Sequence, residues 1–184
     1  MSGSATFDTD LEDMWDAVTN PERIPRWFLP ISGDLRPGGR YQLEGNAGGK
    51  ISRCDPPEAL DVTWECSGNI SWVRVRLDAH DDGTRLTLEH IMLKDEASEE
   101  HWRKYGPGAT GVGWDLSFFG LLLHIRTGES ILQDEYHAWL ATENGKTFIR
   151  ECSMTWGSAH IASGEDDPTA KGMAEQTAKF YCGE

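Results

Sequence analysis

Apolar residues recur along this chain with two different periods, and the change from one to the other divides it. In DLEDMWDAVTNPERIPRWF, Leu11, Met14, Trp15 and Val18 fall at helical spacing while Glu12, Asp13 and Asp16 face away. That predicts a helix with one apolar stripe. Asn20 is expected to cap, and Pro21 to start, a second short helix, with Pro25 preventing one long helix. Trp27 and Phe28 follow at once, so the segment reads as an aromatic wedge laid over the end of a sheet.

From Gly33 to Met92 the period drops to two, and five antiparallel strands are predicted. Arg40–Glu44 places Tyr41 and Leu43 on one face, and glycines 45, 48 and 49 turn the chain into Lys50–Cys54. Leu60, Val62 and Trp64 alternate with Asp61, Thr63 and Glu65, and Cys66 continues the apolar face. Ser71–Ala79 sets Val73, Val75 and Leu77 against Trp72, Arg74 and Arg76. Asp81-Asp82-Gly83 then forms a hairpin into Thr84–Met92, where Leu86, Leu88 and His90 share a face.

A polar loop and a short helix-like piece at Ser98–Tyr105 precede GPGATGVGWDLSFFGLLLHI, a long helix with two apolar faces. Val112, Leu116, Phe119 and Leu123 form one face, and Trp114, Phe118, Leu121 and Ile125 the other. Such a helix is expected to be sandwiched, with its glycines permitting close packing on the sheet. The tail is helical again over Tyr136–Ala141, Lys146–Ala162 and Pro168–Tyr181, with breaks at Asn144-Gly145 and Ser163-Gly164. Its stripe of Ile149, Cys152, Trp156 and Ala159 suits docking on the long helix better than forming a separate core.

Composition narrows the function classes. The 184 residues suffice for one buried core and an appendage. A formal net charge of -14 repels phosphates and anionic lipid, which argues against nucleic-acid and membrane-surface partners. Cys54, Cys66, Cys152 and Cys182 are widely spaced and nothing resembles a signal peptide, so a reduced cytoplasmic setting is expected. The apolar run Phe118–Ile125 is far too short for a membrane span. Eight tryptophans, each a large apolar body with one N–H donor, point to a roomy, partly polar interior or to ordinary core packing.

The order short strand, two small helices, antiparallel strands and long glycine-punctuated helix resembles the heat shock protein 90 ATPase activator homologue-like branch of the START-like (SRPBCC) superfamily. The residues that carry the likeness are Met14-Trp15 and Ala17-Val18, Thr19-Asn20-Pro21-Glu22 with Trp27, Asp55-Pro56-Pro57 followed by Leu60 and Thr63-Trp64, and Thr84-Arg85-Leu86-Thr87-Leu88 ending at His90. It covers about 6–127, and the tail is similar to an extension of a bacterial subgroup. The resemblance implies an α+β helix-grip fold, a curved antiparallel sheet wrapped around a long helix, with residues 1–127 as the START-like domain and 128–184 as a helical extension packed on it. Two departures stand out. Only Ser4–Asp8 is available for the strand that normally precedes the first helix, and no stretch of this sequence resembles the additional chaperone-binding domain of the eukaryotic proteins, so chaperone activation is not expected to carry over.

In this family the sheet and long helix enclose a cavity that can hold a small apolar molecule. The residues expected to line it are Trp27, Phe28, Tyr41, Leu43, Trp64, Val75, Leu88, His90, Trp114 and Phe118. Aromatic side chains could equally fill that space. His90 could act as a base, fix a ligand oxygen, or sit as a buried imidazole satisfied by a neighbour. The other histidines show no metal-ligand spacing, there is no G-x-S-x-G elbow, and the glycine segment lacks the Lys-Ser/Thr of a phosphate loop. No catalytic residue, metal or cofactor is therefore expected. The leading expectation is a non-catalytic binder of a small hydrophobic or amphipathic ligand, monomeric or dimeric. The alternatives are a polyketide cyclase or aromatase-like enzyme using the same cavity, or a protein-interaction or stress-response regulatory module docking through its tail or its Arg74 and Arg76 face.

Overall fold

A computed structural model describes residues 1–93 and 96–184. Among them, seven strands form one antiparallel sheet in the order β1-β7-β6-β5-β4-β3-β2. The strands are β1 (Ser2–Phe7), β2 (Ile31–Gly33), β3 (Arg40–Leu43), β4 (Gly48–Asp55), β5 (Ala59–Cys66), β6 (Asn69–His80) and β7 (Gly83–Met92). The helices are α1 (Leu11–Thr19), α2 (Glu96–Tyr105), α3 (Gly108–Thr127), α4 (Gln133–Leu140), α5 (Glu143–Ala162) and α6 (Asp167–Cys182). This is an α+β helix-grip architecture. The polar loop expected before α2 includes Lys94 and Asp95, which lie outside the described residues.

The chain divides into two compact units, Met1–Leu93 with Phe118–Ile131, and Lys94–Ser117 with Leu132–Glu184. The C-terminal half of α3 therefore belongs to the first unit and its N-terminal half to the second.

In the first unit, the amphipathic helix forms where its pattern places it. Asp10 caps α1 by accepting from the Asp13 N–H at 2.8 Å, and Glu12 and Asp13 lie in the first turn, where the helix dipole favours carboxylates. Met14 and Ala17 are buried completely. The second helix does not start at Pro21. Asn20 instead ends α1, its side chain accepting from the Glu22 N–H, and a 3₁₀ turn follows at Ile24–Arg26 with Pro25 in its first positions.

The edge strand is longer than the sequence suggests. Six residues of β1 pair with Thr84–Glu89 of β7, so a full strand precedes α1. Its sequence, SGSATF, has little apolar alternation, and the cross-strand hydrogen bonds define it. At the other edge β2 adds three residues against β3. Gly48 and Gly49 are strand residues of β4, and the turn lies before them, with Gly45 at φ +66°. The hairpin between β6 and β7 closes on His80 opposite Gly83, with Asp81 at φ +50°.

In the second unit, Asn144 and Gly145 do not break the tail. Thr142 caps α5 by accepting from the Gly145 N–H, so both residues lie in the first helical turn. Asp166 caps α6, and Gly183 ends it in the left-handed region. The glycines of α3 in this unit face other helices instead of the sheet. A Cβ at Gly111 would fall 2.2 Å from the Trp156 ring on α5, and one at Gly108 or Gly113 would meet Thr177 or Tyr181 on α6 at 3.1 Å. Hydrogen bonds from Thr177 to the Tyr105 carbonyl and from Tyr181 to the Ala109 carbonyl accompany this close approach. No helix among the described residues is long and apolar enough to cross a membrane.

Candidate functional site

Strict alternation sends one set of strand residues to a single sheet face, and the register aligns them across strands. Val62 lies opposite Val73 and Val73 opposite His90, while Leu60 lies opposite Val75 and Val75 opposite Leu88. One step further, Trp64 lies opposite Ser71, which lies opposite Met92. Tyr41 pairs with Gly49 on β4, and its hydroxyl donates to the Thr63 carbonyl of β5 at 2.8 Å, spanning the strand between. Burial pushes the Tyr41 phenol well above its ordinary range. Leu43, two residues on, is buried.

Polar chemistry on this face converges on His90. Its Nε2 lies 2.8 Å from the Ser71 hydroxyl oxygen, and that hydroxyl reaches the Trp64 carbonyl at 3.1 Å. The Ser71 proton is committed to the carbonyl, so its oxygen accepts and His90 Nε2–H donates. The Trp64 ring meets the imidazole edge-on with centroids 6.1 Å apart. Burial, followed by the nearby terminal ammonium, lowers the His90 pKa to about 4, so the ring is neutral at neutral pH. His90 is thus a buried imidazole with Nε2 bonded to a neighbouring side chain. Ser71 was absent from the residues expected to line the site. The continuation of the Val73, Val75 and Leu77 alternation back by one step would have found it.

The wedge is fastened by its own donors. Trp27 Nε1–H donates to the Ala17 carbonyl at 2.9 Å, and its ring stacks on Phe28 with centroids 5.4 Å apart. Gly120 on α3 lies against the Trp27 carbonyl, where a Cβ would stand at 2.8 Å. Phe118 meets Phe7 of β1 edge-on. Nine of the ten expected lining residues thus belong to the first unit, and Trp114 belongs to the second.

A second polar centre joins the wedge to α3. Arg23 donates to the Asp13 carboxylate at 2.6 Å, to the Asp16 carboxylate at 3.1 Å, and through Nε to His124 Nε2 at 3.2 Å. His124, almost completely buried, donates from Nδ1 to the Glu129 carbonyl at 2.7 Å. Both nitrogens of His124 are thereby assigned, and the ring is a structural tie. The Arg26 guanidinium donates to the Gly128 carbonyl, and the Ile131 N–H to the Arg26 carbonyl, closing the same junction. On the opposite sheet face, Arg76 pairs with Asp61 at 2.5 Å and Arg74 faces Glu89 at 3.7 Å, the pattern of cross-strand charge pairing on a solvated face.

The second unit holds a partly buried carboxylate. Asp115 on α3 accepts from Trp156 Nε1–H at 2.8 Å, and burial raises its pKa against the opposing hydrogen bonds from Trp156 and Cys152. Burial, then the Asp115 charge, pushes the Cys152 thiol up to about 12, too high for an activated nucleophile.

The family described as activator of Hsp90 ATPase homolog 1-like protein matches residues 8–122. Among solved structures, crystalline CalU16 from Micromonospora echinospora is 30% identical, covers 85% of each chain and superposes with a TM-score of 0.66. The solution structure of CalU16 is 29% identical with a TM-score of 0.63, covering 99% of this chain and 85% of that one, so the likeness continues through α4–α6. The Aha1 dimer from Colwellia psychrerythraea is 14% identical with a TM-score of 0.55 over 70% of this chain and 96% of that one, a likeness of fold. No curated protein sequence matches this chain.

Proposed function

Since this chain belongs to the activator of Hsp90 ATPase homolog 1-like family and has its helix-grip fold, we propose that it binds a small apolar or amphipathic molecule without transforming it. The site is the sheet face of the first unit, beneath the C-terminal half of α3. Tyr41, Leu43, Trp64, Val75, Leu88 and Phe118 supply apolar area, Trp27 and Phe28 form the rim, and His90 orients one polar group of the ligand.

The observation that supports this reading is the pair of His90 and Ser71 buried beside the half-buried Trp64 ring. A face needed only for packing gains nothing from two polar side chains there, and hydrophobic replacements would serve as well. Catalysis is the weaker reading. His90 is neutral and its Nε2 proton is committed to Ser71, and Ser71 in turn donates to a backbone carbonyl, so neither is set up to transfer a proton. Four free cysteines suit a reducing cytoplasm.

Titration of the intact protein with a panel of fatty acids, sterols and aromatic polyketides, followed by tryptophan fluorescence, tests the proposal. A saturable response that weakens in His90→Ala is expected. Silence across the panel would sink it, and turnover of a bound compound that stops in His90→Ala would replace it with the cyclase reading.

A further inference from the structure

The two edges of the sheet differ in how they are protected. At one edge β2 is three residues long, too short to template a further strand. At the other, β1 runs for six residues and pairs with β7 without a register shift. It carries no charge, proline or bulge, the devices that usually blunt an open edge, and Ser2, Ser4 and Thr6 are all exposed. The ladder decides which backbone groups face outward. Met1 and His90 exchange both hydrogen bonds, the nitrogen of each donating to the carbonyl of the other at 3.0 Å. Hydrogen-bonded pairs alternate along an antiparallel ladder, so Gly3, Ala5 and Phe7 bond to β7, and Ser2, Ser4 and Thr6 turn their N–H and C=O groups away from it. Among the described residues no hydrogen bond reaches those groups from the open side.

This edge is complementary to a second copy of itself. Setting one β1 antiparallel to another about Ser4 brings Ser4 opposite Ser4 and Ser2 opposite Thr6, so every outward N–H and C=O of the three residues is paired. Gly3 then falls opposite Ala5 in the close, non-hydrogen-bonded positions, about 4.5 Å apart at Cα, where a glycine and a methyl fit together. Charge agrees with the backbone. On β7, Arg85 lies opposite Thr6 and Glu89 opposite Ser2, so the same register puts Arg85 in one row with the partner's Glu89, across two small hydroxyl side chains. Glu89 reaches Arg74 only at 3.7 Å, and Thr87, opposite Ser4, leaves the middle row uncharged. A net charge of -14 opposes self-association, yet the charges nearest this seam are opposite in sign in both flanking rows. Sliding the register by two residues aligns Arg85 or Glu89 with Thr87 and leaves Ser2 or Thr6 without its counterpart.

We propose that two copies of this chain associate by antiparallel pairing of their β1 strands about Ser4, joining the two sheets into one. The contact is isologous, each copy offering the same strand and the same two charges, so it closes at two copies. A strand from another protein would satisfy the open backbone groups but would not supply the alternating hydroxyls and the matched Arg85 and Glu89 rows. The seam is narrow and polar, which places it at the low end of specific interfaces and makes the dimer reversible.

Sedimentation equilibrium of the full chain under reducing conditions, from low micromolar to millimolar concentration, is expected to show monomer and dimer in exchange. Ser4→Pro removes an N–H that faces away from β7, so the variant should keep its fold and lose the dimer. Ser4→Lys sets like charges against each other on the two-fold axis and should act in the same way. Arg85→Glu and Glu89→Arg should each weaken association about threefold or more, and an equimolar mixture of these two variants should recover it as a heterodimer. Amide hydrogen exchange on the unsubstituted chain keeps the test decisive if a variant fails to fold: the Ser4 and Thr6 N–H groups should exchange more slowly as concentration rises. A chain that stays monomeric to millimolar concentration overturns the proposal. So does a dimer that folded Ser4→Pro leaves intact, or one in which Ser4 exchanges at the same rate at every concentration.

Discussion

His90 and Asp13 place opposite kinds of charge chemistry in one unit, and both make it sensitive to acid. For His90 the folded pKa is about 4 against an ordinary 6.5, so the folded state binds fewer protons than the unfolded state between those values. Stability from this group is fully present above about pH 6.5 and is lost as pH falls towards 4, by on the order of 2–3 kcal/mol. Denaturant titrations at half-unit pH steps should show that slope in the wild type, and it should flatten in His90→Phe; equal slopes would refute a buried neutral imidazole. Asp13 is held below its ordinary pKa first by its hydrogen bond from Arg23, so its contribution is present above about pH 4 and disappears as pH falls through the folded value. The pair is partly exposed, which limits the loss in Asp13→Asn at pH 7 to about 1 kcal/mol. Thermal melts at pH 7 and pH 3 check this, the gap between variant and wild type closing at the lower pH.

At the scale of elements, α3 shows how one residue type serves opposite ends. Alanine normally favours a helix by about 1 kcal/mol over glycine, yet a methyl at Gly111 would lie 2.2 Å from the Trp156 ring. Gly111→Ala should therefore destabilise the protein by about 1–3 kcal/mol through overpacking. Gly172, within α6 and with nothing inside 4 Å of a built Cβ, should respond in the opposite sense, gaining about 0.5–1 kcal/mol as alanine. Urea denaturation of the two variants side by side decides both, and a stabilised Gly111→Ala would show that the α3–α5 approach is not tight. Such contrasts are invisible along the chain, because a glycine that admits a neighbouring helix and one that merely sits in a helix look alike. Legibility varied in the same way elsewhere. Leu60, Val62 and Trp64 announced β5 by period alone, whereas SGSATF carried little alternation and became β1 only through its partner strand. Asn144-Gly145 looked like a break because the Thr142 cap that absorbs it acts through hydrogen-bond geometry. At the candidate site His90 and Ser71 were each readable from strand parity, but their pairing needed the register between β6 and β7, and the tie between Arg23 and His124 joins residues 101 positions apart, beyond any periodicity.

At the scale of the whole molecule, the second unit is assembled from two separate stretches, 94–117 and 132–184, with the C-terminal half of α3 intervening in the chain. The N-terminal half of α3 has its glycines fitted to Trp156, Thr177 and Tyr181, and Tyr136 of α4 donates to the Leu116 carbonyl at 2.8 Å. A chain ending at Ile131 would keep Gly108–Ser117 but remove α4, α5 and α6, leaving that half-helix without the side chains against which it packs. Val112, completely buried in the intact chain, and the small-residue surface at Gly111 would lose the partners supplied by their own unit. Loss of such packing is a named route to poorly ordered, aggregation-prone states. The truncated chain is therefore expected to bind a hydrophobic dye and to melt at lower temperature than the full chain, or to aggregate. Size-exclusion chromatography, dye binding and thermal melts on both chains test this. A monomeric 1–131 chain with an unchanged, cooperative melt would mean that α4–α6 are an independent appendage instead of the second half of a unit that α3 begins.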